Sequence, residues 1–101
     1  VLLPRLLQCW KFRPGLQDEL TESPEVIARR FFYDCLHYDP RATRFLMEMV
    51  GSSQVVIGTD YPFSIRDKAP LTSLELLGVD EATWKAIASE NAARFLNLSL
   101  S

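Results

Sequence analysis

The stretch QVVIGTDYPF, Gln54 to Phe63, decides the fold of this chain. Val55, Val56 and Ile57 form a continuous apolar, β-branched run of the kind buried on both faces of a parallel sheet. Gly58 and Thr59 close the run, and Tyr61-Pro62 stops it continuing as a central strand, because proline has no N–H for the ladder. The strand therefore ends on a carboxylate, Asp60. Two readings of it stand side by side. Short acids are common turn residues, and in α/β folds the catalytic groups gather at the C-terminal ends of strands.

Upstream, FFYDCLH (Phe31 to His37) is aromatic-rich and short, and predicts a strand over Phe31 to Leu36. Asp39-Pro40 then starts a helix in which Ala42, Phe45, Leu46, Met49 and Val50 share a face, and Gly51 ends it. A strand, a helix and a second buried strand make a βαβ unit, so the two strands are expected to be parallel neighbours. After Asp60 a loop runs to Pro70, a short helix covers about Thr72 to Leu77, and Asp80 caps a longer one. Periodicity assigns Trp84, Phe95 and Leu96 of that last helix to the core. Toward the N-terminus, Leu2 to Phe12 reads as a helix stopped by Arg13-Pro14-Gly15. Residues 14–22 read as a loop, and Ser23-Pro24-Glu25 starts a short helix ending near Arg30. The class is α/β, two parallel strands with flanking helices.

Composition bounds the function. A chain of 101 residues is one domain or part of one. Its net charge of −2, with Lys and Arg scattered, gives no footprint for nucleic acid. The apolar run VLLPRLL is interrupted by Pro4 and Arg5 and falls far short of the ~20 residues that span a bilayer, so no membrane partner is expected. Cys9 and Cys35 have neither zinc-site spacing nor a disulfide framework around them, which points to a cytoplasmic protein and to apolar filler roles for both. His37, the one histidine, reads as a loop or packing residue rather than a ligand, and Asp34 as either inward-pointing or internally hydrogen-bonded. The first residue is Val1, and the chain opens inside an amphipathic pattern, which suggests a piece of something longer.

Three segments in register resemble the amidohydrolase-related (amidohydrolase 2) family of metal-dependent enzymes, especially its aminocarboxymuconate semialdehyde decarboxylase-like branch. VVIGTDYPF is similar to that family's eighth strand with its GTDYP signature; FFYDCLHYDPRATRFLMEMVGSSQ resembles strand seven and its helix; ASENAARFLNL resembles the terminal helix. More weakly, PRLLQCWKFRP resembles a segment containing Gly-Arg, with Pro4 in place of the glycine. The resemblance implies that residues 1–101 are the C-terminal part of a TIM (β/α)8 barrel. It implies a divalent metal, zinc, ligated in part by Asp60, which would also be the catalytic acid–base group. Arg5 falls on the arginine that reaches into a neighbouring subunit's site to hold substrate carboxylate, which implies a homodimer. The implied activity of the intact enzyme is nonoxidative decarboxylation of an unsaturated or aromatic carboxylic acid, with hydrolysis of lactones or amides as the rival and a noncatalytic interaction module as the third possibility. The family's remaining ligands, histidines from earlier strands, have no counterpart here, so this chain alone is expected to hold no metal and to be inactive.

Overall fold

The computed structural model describes residues 2–99, which form two compact units divided between Phe31 and Phe32. The first holds three helices, α1 (Leu2–Phe12), α2 (Leu16–Glu19) and α3 (Pro24–Ala28). Helix α1 stops at Phe12 as the Arg13-Pro14-Gly15 break predicts, but the following residues are not all loop. Gly15 takes a left-handed φ of 82°, and the chain re-enters one helical turn, α2. The indole N–H of Trp10 donates to the Leu20 carbonyl at 2.7 Å, and the Gln17 amide donates to the Trp10 carbonyl at 3.2 Å, tying α2 back to α1. Ser23 caps α3 by accepting from the Val26 N–H, with Pro24 at the first helical position. Arg30 pairs with Glu22. No described side chain of this unit is fully buried, and Leu2, Leu6 and Phe12 are exposed.

The second unit is the βαβ unit that the sequence predicts, followed by helices. Strands β1 (Tyr33–Asp34) and β2 (Val55–Val56) pair in parallel, Tyr33 opposite Val55 and Asp34 opposite Val56. Helix α4 (Pro40–Val50) connects them. Asp39 caps α4 by accepting from the Arg41 N–H at 2.8 Å, and Gly51 ends it at φ 91°. Both strands are shorter than the apolar runs suggest. Beyond Cys35, whose N–H still reaches the Val56 carbonyl at 2.9 Å, the Leu36 N–H turns inward to the Asp34 carboxylate at 3.0 Å. On the other strand the Ile57 N–H leaves the sheet for the Ile87 carbonyl. Local side-chain and helix partners thus replace the ladder.

Helix α5 (Pro70–Glu75) lies slightly earlier than expected, because Pro70 itself takes the first helical position. The last helix starts at Asp80, which accepts from the Thr83 N–H at 2.8 Å, and runs as α6 (Glu81–Lys85), one π turn (Ala86–Glu90) and α7 (Asn91–Phe95). The core consists of Val50, Val55, Leu74, Leu77, Ile87 and Ala93, with Thr43 and Asn91 as its polar members. Phe95 and Leu96 are corrections to the sequence reading: both are exposed, and Trp84 is half-buried. Asn91, on the same predicted face as Ile87, and Ala93 are the buried residues of α7, while Phe95 meets the Phe32 ring with centroids 5.1 Å apart.

Candidate active site at the strand exits

The exit of β2 is held at its base by a buried amide. Asn91 is 2% exposed, and its Nδ2 donates to the carbonyls of Ser52 at 2.8 Å and Val55 at 2.7 Å. Two residues above Val55, the Ile57 N–H donates to Ile87 at 3.1 Å, onto a carbonyl in the π turn. The last helix therefore grips the strand at two levels. Gly58 comes next, and it must be glycine: a Cβ there would lie 2.9 Å from the Asp34 Cβ, closer than side chains tolerate.

Above Gly58 the chain folds into a tight turn. Thr59 accepts the Tyr61 N–H on its hydroxyl at 3.2 Å and the Asp67 N–H on its carbonyl at 2.9 Å. The Asp60 carbonyl accepts from the Phe63 N–H at 3.0 Å. Asp60 has a φ of 62°, the left-handed region that most side chains avoid, and its carboxylate is exposed. Tyr61 and Phe63 flank it and are 77% and 63% exposed. The exit of β1 carries a second left-handed residue, Tyr38, with φ 59°. Its hydroxyl donates to the Ile65 carbonyl, which links the two strand exits. Partial desolvation, then the charges of Asp60 and Asp67, hold the Tyr38 phenol above its ordinary range.

The other sequence candidates divide. His37 Nδ1 lies 3.1 Å from the Thr43 hydroxyl, which in turn donates to the Cys35 carbonyl at 3.4 Å, in keeping with a packing role. The Asp34 carboxylate accepts from the Leu36 N–H and packs over Gly58, so the internal hydrogen bond is real although the residue is exposed. Cys35 is half-buried, and that burial pushes its thiol up, the opposite of what a nucleophile needs. Cys9 is exposed, not the apolar filler expected. Arg5 is exposed on α1 and belongs to the first unit, whereas Asp60 belongs to the second. No group of three His, Cys, Asp or Glu able to hold a metal occurs among the described residues. A metal centre needs about three protein ligands, and a lone carboxylate such as that of Asp60 would not by itself make one.

Sequence reasoning missed Tyr38 and the anchoring role of Asn91. A lone amide inside an apolar stripe was the available signal for Asn91; a left-handed tyrosine has none.

No family model matches the chain. Over 77 residues, 75% of its length, the chain is 32% identical to a 2-amino-3-carboxymuconate-6-semialdehyde decarboxylase of Dictyostelium discoideum. Over 73 residues it is 34% identical to the enzyme of that name from Caenorhabditis elegans. These matches take in 21% and 17% of the two relatives, so the chain spans about a fifth of their length. The crystal structure of the 5-carboxyvanillate decarboxylase LigW from Sphingomonas paucimobilis has the same fold over 97% of this chain and 30% of its own, with a TM-score of 0.77 and 22% identity. The register of GTDYPF, the strand-helix segment before it and the Asn-Ala helix after it thus goes with similarity, over about three quarters of this chain, to part of the 2-amino-3-carboxymuconate-6-semialdehyde decarboxylases.

Proposed function

We propose that this chain is the C-terminal part of a (β/α)8-barrel decarboxylase that removes carbon dioxide, without oxidation, from an unsaturated or aromatic carboxylic acid. The observation that carries the reading is Asp60, an exposed carboxylate fixed in a left-handed turn at the end of a buried strand, in a chain whose curated relatives are named decarboxylases. Such a turn is costly for most residues and recurs where geometry serves chemistry.

In the intact enzyme a divalent metal, zinc, would supply Lewis acidity when bound. Asp60 would contribute one carboxylate to its ligand set. Decarboxylation breaks the bond between the carboxylate and its carbon, and a proton replaces the departing carbon dioxide. Asp60 is the group in this chain that can take up and return that proton, since it is ionisable and open to solvent at the strand mouth. Tyr61 and Phe63 offer flat apolar surface to a conjugated acid beside it. Arg5 binds substrate carboxylate across a homodimer interface, in the manner that guanidinium groups pair with carboxylates.

The test is carbon dioxide release by the intact protein from a panel of unsaturated and aromatic acids, alongside hydrolysis of lactones and amides. The reading expects decarboxylation that is lost on chelation and restored by zinc. Hydrolysis without decarboxylation would replace it with the rival chemistry, and neither activity in metal-loaded protein would overturn it.

A further inference from the structure

The segment that carries Asp60 is held by hydrogen bonds rather than by packing. Residues 60–65 are exposed, and Ile65 is 66% exposed beside the open rings of Tyr61 and Phe63. Burial therefore does not choose one conformation for this loop. Its base is closed where the Asp67 N–H donates to the Thr59 carbonyl at 2.9 Å. Inside that base the Phe63 N–H donates to the Asp60 carbonyl at 3.0 Å, and the Phe63 carbonyl accepts from the Arg66 N–H at 3.2 Å and the Arg66 guanidinium at 3.1 Å. These bonds fold the loop on itself without fixing where it stands over the strand exits.

A bond from another part of the fold supplies that. The Tyr38 hydroxyl, at the exit of β1, donates to the Ile65 carbonyl, in the arm of the loop that returns from Asp60. Tyr38 is itself in the left-handed region, where an aromatic residue is rare, and Asp60 matches it at the exit of the neighbouring strand. Such torsions persist where the surroundings hold them, and they gather at functional sites. Tyr38 is 64% exposed, so its ring adds little burial and the hydroxyl is the part that binds the loop. Partial desolvation and then the charges of Asp60 and Asp67 raise the phenol above its ordinary range, which keeps the proton on the hydroxyl and the hydroxyl a donor.

We propose that Tyr38 is a positioning residue for Asp60: its hydroxyl fixes the loop from Asp60 to Arg66 against the exit of β1, and so fixes where the Asp60 carboxylate stands when a proton is returned to the substrate carbon. The role rests on the reading of Asp60 as the proton-carrying group, and it acts through Asp60 alone.

The experiment compares the intact protein with Tyr38→Phe, Asp60→Asn and the double variant in two measurements, with melting curves throughout and Lys85→Gln, on α6, as the control. Amide hydrogen exchange reads the loop without reference to activity. In Tyr38→Phe it should be ~2–10-fold faster at Phe63 and Asp67, the net worth of one hydrogen bond, and unchanged at Cys35 and Ile57, whose N–H groups bond to Val56 and Ile87. Turnover reads the consequence. Tyr38→Phe should lower kcat by ~10–10²-fold, as a small misplacement of a reacting group does, and should lower it no further in the Asp60→Asn background. Lys85→Gln should turn over at the unmodified rate. If Tyr38→Phe does not fold, Tyr38→Asn takes its place, since asparagine accepts the left-handed backbone and is too short to reach Ile65. Near-normal turnover of Asp60→Asn removes the reading of Asp60, and the positioning role with it. With Asp60→Asn slow, unchanged exchange at Phe63 and Asp67, normal turnover of Tyr38→Phe, or an equal further loss of rate in the Asp60→Asn background overturns the role of Tyr38 alone.

Discussion

Asp60 shows how much one backbone angle decides. At φ 62° a side chain with a branched or bulky Cβ meets its own carbonyl, and the left-handed region costs an ordinary residue ~1–2 kcal/mol. Aspartate and asparagine bear this better than most, because short polar side chains hydrogen-bond locally there. Asp60→Asn should therefore leave the melting temperature nearly unchanged, whereas Asp60→Val should destabilise by ~1–2 kcal/mol, read from denaturant titrations of both variants. Equal stability of the Val variant would show that the turn is not held in that conformation. Gly58 is constrained by its neighbour rather than by its own torsions. Its missing Cβ leaves the space that the Asp34 side chain occupies, and Gly58→Ala should cost ~1–3 kcal/mol through overpacking. The loss should be largely relieved in the double variant with Asp34→Gly, a coupling that a double-mutant cycle measures. The carboxylate at the strand end and the glycine before it were legible in GTDYP. The reason for the glycine was not, since it depends on Asp34, a residue 24 positions away in the chain, meeting Gly58 across the sheet.

Among the elements, the caps were the most legible part of the sequence and the last helix the least. Ser23-Pro24, Asp39-Pro40 and Asp80 each start a helix where their chemistry says they should, because a cap is satisfied by N–H groups two or three residues away. The π turn has no such local cause. Asn91 anchors the helix to β2. Asn91→Ala would leave two carbonyls without their donor inside the core and should destabilise by roughly 2–4 kcal/mol, measured by chemical denaturation. An effect under ~0.5 kcal/mol, the size usual for surface substitutions, would contradict the anchoring role. The caps also carry a pH signature. Hydrogen bonds from the Arg41 guanidinium and N–H hold the Asp39 carboxyl at about 2, below its ordinary 3.8. A depressed folded-state pKa stabilises above the unfolded value and is lost as pH falls through the folded one. Asp80 is lowered in the same sense by Thr83. The melting temperature should therefore decline as pH drops from about 4 to about 2, and Asp39→Asn should flatten part of that decline. An identical profile for the variant would mean that this pair contributes nothing, as many exposed ion pairs do.

At the scale of the molecule, the two-stranded parallel sheet is the feature to explain, since parallel sheets are ordinarily covered on both faces and continued at both edges. Val55 is fully buried, but Val56 is only half-buried, and Phe45, Phe95, Leu96 and Leu98 are exposed. These residues carry core-type periodicity without a core to enter. The exposed apolar surface should make residues 1–101 self-associate, and sedimentation at rising concentration should show it. A monomer over the whole range would favour a self-sufficient module. The α/β class, the parallel pairing and the joining helix were readable because they follow from local apolar runs and caps. The exposure of the last helix was not, because periodicity tells which face is apolar and not what covers it. The proposed role of Asp60 is chemical, at the end of β2. The direct measurement is the turnover of the intact protein and of its Asp60→Asn variant on the same carboxylic acid, with melting temperatures for both. An unchanged melting temperature is expected, with a rate lowered by ~10²–10⁴, the usual worth of a general acid–base group. Near-normal turnover in the Asn variant would contradict it and leave Asp60 a turn residue.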